Sequence, residues 1–381
     1  MFDLKTIRTQ NDESPKDYHL TDPGLKKAID MAIWLQKPLL VTGAPGTGKT
    51  KLAWKLAYEL STLGSEQLKD QLDNPCAPFI ETPFVFNTKT VSNASDLFYH
   101  YDAIGHFRER PVDNEEEEII QEADKTRVIL KAKADSERVP AYKYIELNAL
   151  GRAIVQTWGK RKILATKQLQ QLRHLHKFSE LQEQPMSSVV LVDEIDKAPR
   201  DFPNDLLNEM ENLEFNIREL NQAVTRNPDS PSRIVVLMTS NFEKNLPDAF
   251  LRRCLFYHIQ PPQEKDLLKI VCSRMRSYLE QFGLIHGTPS ADRQSLEERY
   301  RPLIAIFQEI SKSATDKSPT TSELLEWIKV LELEGFFSQG NADLSVISAD
   351  QLTILHYSLP ILLKSKEDMD RLLIKYPPPK Q

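Results

Sequence analysis

The chain reads as an α/β protein built on a five-stranded parallel sheet and followed by an all-α unit, and three observations predict this. Five short apolar runs, Pro38–Thr42, Phe84–Asn87, Val189–Val192, Ile234–Met238 and Leu255–Ile259, are separated by long helical stretches. The strand-to-loop junctions at Gly43, Asp193 and Ser240 put polar residues at carboxyl ends of strands, where parallel sheets bind their ligands. Beyond Ile259, Pro261-Pro262 breaks the chain, and helical patterns such as Leu267–Val271 and Leu324–Ile328 run to the end.

The first run leads into the most informative stretch. Pro38-Leu39-Leu40-Val41 precedes Gly43-Ala44-Pro45-Gly46-Thr47-Gly48-Lys49-Thr50, a match to G-x-x-x-x-G-K-[ST], and a helical pattern over Leu52–Tyr58 follows. The glycines let backbone N–H groups converge on phosphates with no Cβ in the way. Lys49 is then placed for the β and γ phosphates, and the Thr50 hydroxyl for Mg²⁺. Three of the chain's 12 glycines lie in this octet, and a chance match in a chain this long has odds on the order of 1 in 100. The reading is a nucleoside triphosphate site.

Two further runs end in polar residues. Val189–Val192 leads into Asp193-Glu194, the first acid expected to hold Mg²⁺ and the second to polarise the water that attacks the γ-phosphate. Ile234–Met238 leads through Thr239-Ser240 to Asn241, placed to orient that water or simply to open a turn. A short helix is expected near Pro247, with Arg252 and Arg253 at its end.

Composition bounds the rest. With 381 residues, 40% of them hydrophobic, the chain can bury a core and should hold two or three domains. A net charge of −6 argues against a nucleic-acid binder over the whole surface. Cys76, Cys254 and Cys272 are too few and too scattered for a disulfide framework or a zinc knuckle, and fit best as small core residues in a reduced compartment. The start, Met1-Phe2-Asp3-Leu4-Lys5, lacks a signal-peptide apolar region and no run approaches a membrane span, so a cytoplasmic protein is expected.

The segment from Val112 to Lys177 is less regular. It opens with an acid cluster, Asp113 and Glu115–Glu118, and mixed-charge helix is expected to follow. From Leu147 to Ser179 there is no acidic residue, while Arg152, Lys160, Arg161, Lys162, Lys167, Arg173 and Lys177 are basic. A solvated helical face neutralised by the upstream acids is favoured over a polyanion surface. The tail from Tyr376 to Gln381 is expected to fray.

With these stations in this order, the chain resembles the AAA+ ATPases and, in detail, their MoxR-like branch, over about Leu20 to Leu333. Gly43–Thr50 matches the Walker A motif and Val189–Glu194 the Walker B, extended by Ile195-Asp196-Lys197-Ala198-Pro199. Asn241 falls at sensor 1, and Arg253, with Arg252 beside it, at the arginine finger. Asn87 falls where the family often carries a residue restraining the catalytic glutamate. Asp96–Phe98 with Tyr101-Asp102, then Leu150–Ala153, resemble the arms flanking a helix-2 insert of about 103 to 146.

The resemblance implies an AAA+ αβα core over residues 1–262, an α-helical lid over 263–376 and a disordered tail over 377–381. It further implies ATP and Mg²⁺, a homo-oligomeric ring, commonly hexameric, whose finger reaches the neighbour's site, and a protein partner of the von Willebrand A type. One station departs: Ser318-Pro319 is followed by Thr320, not by the sensor 2 arginine, with only Lys317 close by. A slow or partner-switched ATPase that remodels or activates a protein is the leading reading. The alternative is a nucleotide-gated switch with little hydrolysis, and behind it a nucleic-acid motor suggested by the basic run.

Overall fold

The computed structural model describes residues 15, 18, 22–63, 67, 75–109, 117–122, 125–130, 140–241, 244–281, 289–314, 317–337 and 347–375. The tail from 376, the acids at 113–116 and residues 19–20 lie outside them.

Helix α1 (Pro23–Leu35) starts where the Asp22 carboxylate accepts hydrogen bonds from the N–H groups of Gly24 and Leu25, and a proline sits in its first turn. Its buried residues, Leu25, Ala28, Ile29, Ala32 and Ile33, recur at helical spacing and face the sheet. The sheet itself has five parallel strands: β1 (Leu39–Gly43), β2 (Phe84–Asn87), β3 (Ser188–Asp193), β4 (Ile234–Ser240) and β5 (Leu255–Ile259). Their order is β5-β1-β4-β3-β2. The expected α/β architecture is therefore observed: β2 and β5 match the expected bounds residue for residue, β1 is shifted by one residue, β3 gains one residue at each end and β4 gains two at its carboxyl end.

Alternation along the central strands explains the layers. Leu40, Val190, Val192, Val236 and Met238 pack into one apolar cluster, while Leu39, Val41, Val189, Leu191, Val235 and Leu237 pack into another on the opposite face. Both faces are thus covered, as an all-parallel sheet requires. Helix α2 (Lys49–Thr62) leaves β1 through the glycine loop and buries Leu52, Ala53, Leu56, Ala57 and Leu60 on the second face. Helix α3 (Ala149–Gln156) covers the first.

Among the described residues after β5 the regular elements are helical: α4 (Glu264–Gln281), α5 (Pro289–Ser313), α6 (Thr321–Leu333), α7 (Ala349–Ser358) and α8 (Lys366–Lys375). They form a separate apolar cluster around the fully buried Trp327 and Tyr300. Trp327 donates its indole N–H to Ser358 Oγ at 2.9 Å, and the Tyr300 hydroxyl donates to Glu332 at 2.6 Å, so both buried polar tips are satisfied.

One expectation about the middle of the chain is corrected. The mixed-charge helix after the acid cluster is instead an antiparallel hairpin, Glu117–Glu122 with Lys125–Leu130. Ile119, Ile120, Val128 and Ile129 supply the β-branched residues that favour a strand over a helix. A second short pairing, Tyr99–Tyr101 with Ile145–Leu147, closes the base of this segment. Within the basic run, Arg152 pairs with Glu180, Lys160 and Arg161 with Glu183, Lys162 with Asp229 and Lys177 with Glu146, while the side chains of the acid cluster at 113–118 lie outside the described residues. Two cysteines, Cys76 and Cys272, are buried as expected, whereas Cys254 is only partly covered.

Candidate functional site

At the carboxyl edge of the sheet a cleft of about 840 Å³ opens between α2, the ends of β3 and β4, and the helices α4 and α6. That volume suits a nucleotide-sized ligand. Pro45 to Thr50, Asp193, Glu194 and Asn241 all line it.

The loop owes its shape to its glycines. Gly46 and Gly48 have φ of 74° and 82°, a left-handed conformation that side chains resist, and a Cβ on Gly48 would come within 2.9 Å of the Tyr18 ring. Lys49 is buried, and its ammonium donates back to the Gly43 and Ala44 carbonyls at 2.8 and 2.9 Å. Burial pushes its pKa down, and the nearby carboxylates of Asp193, Asp196 and Glu194 pull it back up. The Thr50 hydroxyl meets the Asp193 carboxylate at 3.0 and 3.1 Å.

Thr239 ties the two acids together. Its hydroxyl donates to Asp193 Oδ1 at 2.5 Å and accepts from the Glu194 N–H at 2.8 Å. Glu194 takes a left-handed φ of 54°, which turns the chain sharply at the strand end and separates the two neighbouring carboxylates. Its carboxylate accepts from Asn241 Nδ2 at 3.3 Å and forms an ion pair with Lys197. The Asn241 N–H in turn donates to Asp196 at 3.1 Å, so Asn241 is held from both ends.

The role of Thr239 is not read from the sequence, although a threonine just beyond an apolar run is a usable signal; Lys197 lies in the extension of the Asp193-Glu194 motif. Asn87 does not reach Glu194. It ends the edge strand β2 in register with Asp193 and is exposed, and the glutamate's partners are Lys197 and Asn241 instead.

Arg252 and Arg253 lie outside the cleft. Both are exposed at the end of a short helix, Asp248–Leu251. The Arg253 guanidinium pairs with Glu211 at 3.4 Å and donates to the Ala249 carbonyl at 3.1 Å. Thr320 caps α6 in a reciprocal capping box with Glu323, and Lys317 is exposed away from the cleft.

The pair Thr50 and Asp193 suits a hard cation that keeps most of its shell for water and phosphate oxygens, which is the habit of Mg²⁺. Among the described residues no cluster of three or more His, Cys, Asp or Glu could hold a metal alone, and no helix is long and apolar enough to cross a membrane.

No protein-family model and no curated protein matches the chain. Among solved structures it is similar to the RuvB Holliday junction branch migration motor of Thermotoga maritima, at 12% identity over 92% of this chain and 74% of that one, with a TM-score of 0.36. It is also similar to the FIGL-1 AAA domain in complex with ADP, at 15% identity over 94% and 87% of the two chains, with a TM-score of 0.36. Likenesses of this size say nothing about activity, which has to be argued from the cleft.

Proposed function

We propose that this chain is an AAA+ ATPase of the MoxR-like type that binds ATP with Mg²⁺ and hydrolyses it within a homo-oligomeric, hexameric ring. The observation that carries the reading is the hydrogen-bonded chain Thr50–Asp193–Thr239–Glu194–Asn241, facing a glycine loop whose lysine is buried among carboxylates. Residues 1–262 would be the nucleotide-binding core and 263–376 the lid.

In this mechanism the backbone N–H groups of residues 46–50 and the Lys49 ammonium bind the phosphates, the ammonium leaving the Gly43 and Ala44 carbonyls to do so. Thr50 and Asp193 would hold Mg²⁺, whose charge offsets that developing on the transferring phosphoryl group. Glu194 takes the proton of the attacking water, and Asn241 fixes the orientation of its carboxylate. Arg253 must come from a neighbouring copy, because within one chain it faces Glu211 outside the cleft.

Work on a protein client in the cytoplasm, with a partner of the von Willebrand A type, belongs to the same proposal. The decisive experiment is phosphate release as a function of protein concentration with ATP and Mg²⁺, wild type beside Glu194→Gln. Cooperative turnover that the variant abolishes supports the ring ATPase. Tight nucleotide binding with no turnover at any concentration sinks it in favour of a nucleotide-gated switch, a reading that Thr320 in place of an arginine favours.

A further inference from the structure

Three cations from three elements line the same cleft: Lys51 of α2, Arg274 of α4 and Lys329 of α6. Lys51 stands two residues beyond Lys49, so on a helix the two side chains leave about 200° apart. Their electrical surroundings differ accordingly. Lys49 feels Asp193, Asp196 and Glu194, whereas Lys51 feels the cations Arg274 and Lys329. The cleft thus has an acidic end at Asp193 and a cationic end on the side of Tyr18, which itself feels Arg274.

Two carboxylates also line the cationic end. Glu326 bears on Lys329, and Asp22 is already engaged by the Tyr257 hydroxyl at 2.6 Å and by the first N–H groups of α1. Like charges do not gather without cost. Partial burial, then Arg274 and Lys329, bring the Lys51 ammonium down to about 8, and burial with Arg274 lowers Lys329 as well. An anion between them removes that cost and gains charge-assisted hydrogen bonds.

We propose that Lys51, Arg274 and Lys329 form a phosphate-ester subsite at the end of the cleft away from Asp193, drawing α4 and α6 onto the core when it fills. The inference rests on the reading of the cleft as a nucleotide site. Two sources share the chemistry: the phosphate nearest the sugar in a 5′-polyphosphate chain, or a further phosphate carried on the sugar itself. The glycine loop and Lys49 serve the rest of the chain and do not need these three residues.

Calorimetric titration of the full chain with adenosine, AMP, adenosine 3′,5′-bisphosphate and ATP separates the possibilities, using wild type, Arg274→Gln, Arg274→Lys and Lys51→Met. If the 5′-phosphate fills the subsite, Arg274→Gln weakens AMP and ATP about tenfold and leaves adenosine unchanged. If a sugar phosphate fills it, wild type prefers the bisphosphate over AMP about tenfold, Arg274→Gln erases the preference and Arg274→Lys keeps most of it.

A thermal scan gives an independent readout. Lys51→Met should raise the melting temperature of the ligand-free chain, by relieving repulsion, and shrink the rise that ATP produces. Wild-type affinities and melting behaviour in all variants overturn the subsite while leaving nucleotide binding intact. No binding of any of these ligands by wild type overturns the nucleotide reading, and the subsite falls with it.

Discussion

Asp193 ends β3 at the carboxyl edge of the sheet and Arg253 stands two residues before the amino end of β5, and their surroundings are opposite. Asp193 is enclosed in a chain of short hydrogen bonds that reaches Thr50 on one side and Glu194 through Thr239 on the other. Arg253 is exposed, outside the cleft, with one long contact to Glu211. A pre-organised network in a sheltered cleft is what binding requires, and a loosely held guanidinium on the surface is what a contribution to another molecule's site requires. One chain, on the proposed reading, carries a complete binding half and lends out the other half.

The largest expected effect tests that division directly. Arg253→Ala should lower turnover by about 10³-fold or more, the size associated with a finger supplied in trans, without changing nucleotide affinity. Mixing it with Glu194→Gln sharpens the point, since composite sites then form from one intact glutamate and one intact arginine. Partial recovery of phosphate release in the mixture supports the division, and no recovery at any ratio breaks it.

Next in size, Glu194→Gln alone should cost about 10²- to 10⁴-fold in turnover while ATP still binds, as read by a retained thermal shift. A smaller effect of the opposite sign is expected from Lys197→Met. Lys197 occupies the Glu194 carboxylate as an ion pair, so its removal should raise the single-turnover rate severalfold. An unchanged rate would make the lysine a bystander.

The smallest effect is a pH dependence. The folded-state pKa of Lys51, about 8, lies below the usual lysine value, so between about 8 and that value the unfolded chain holds more protons than the folded one. Stability from this group therefore rises with pH across that window and is absent below it. The difference between wild type and Lys51→Met in urea melts should shrink from pH 7.5 to pH 10, and a constant difference would show that Lys51 is not under this pressure.

What the sequence disclosed follows from how each feature is built. The loop at 43–50 and the pair Asp193-Glu194 are legible because their chemistry needs contiguous residues, and the central strands β1, β3 and β4 because two-sided burial leaves continuous apolar runs. Thr239 and Arg274 were not, since each matters only through neighbours that strand register and helix packing bring near. The hairpin at 117–130 was hidden by its charge, which reads as helix until the β-branched residues are weighed. The ion pairs of the basic run with Glu183 and Asp229 were not legible, because those acids lie beyond it in sequence and beside it in space.

Thr320 has one more consequence. A Cβ added to Gly46 would come within 2.5 Å of the Thr320 Cβ, so the first turn of α6 rests directly on the phosphate loop. Whatever lodges beneath that loop's amides changes the footing of the helical unit. A fluorescent label at the exposed Leu333, at the far end of α6, would then report occupancy from outside the cleft, and would do so in a chain that cannot hydrolyse anything.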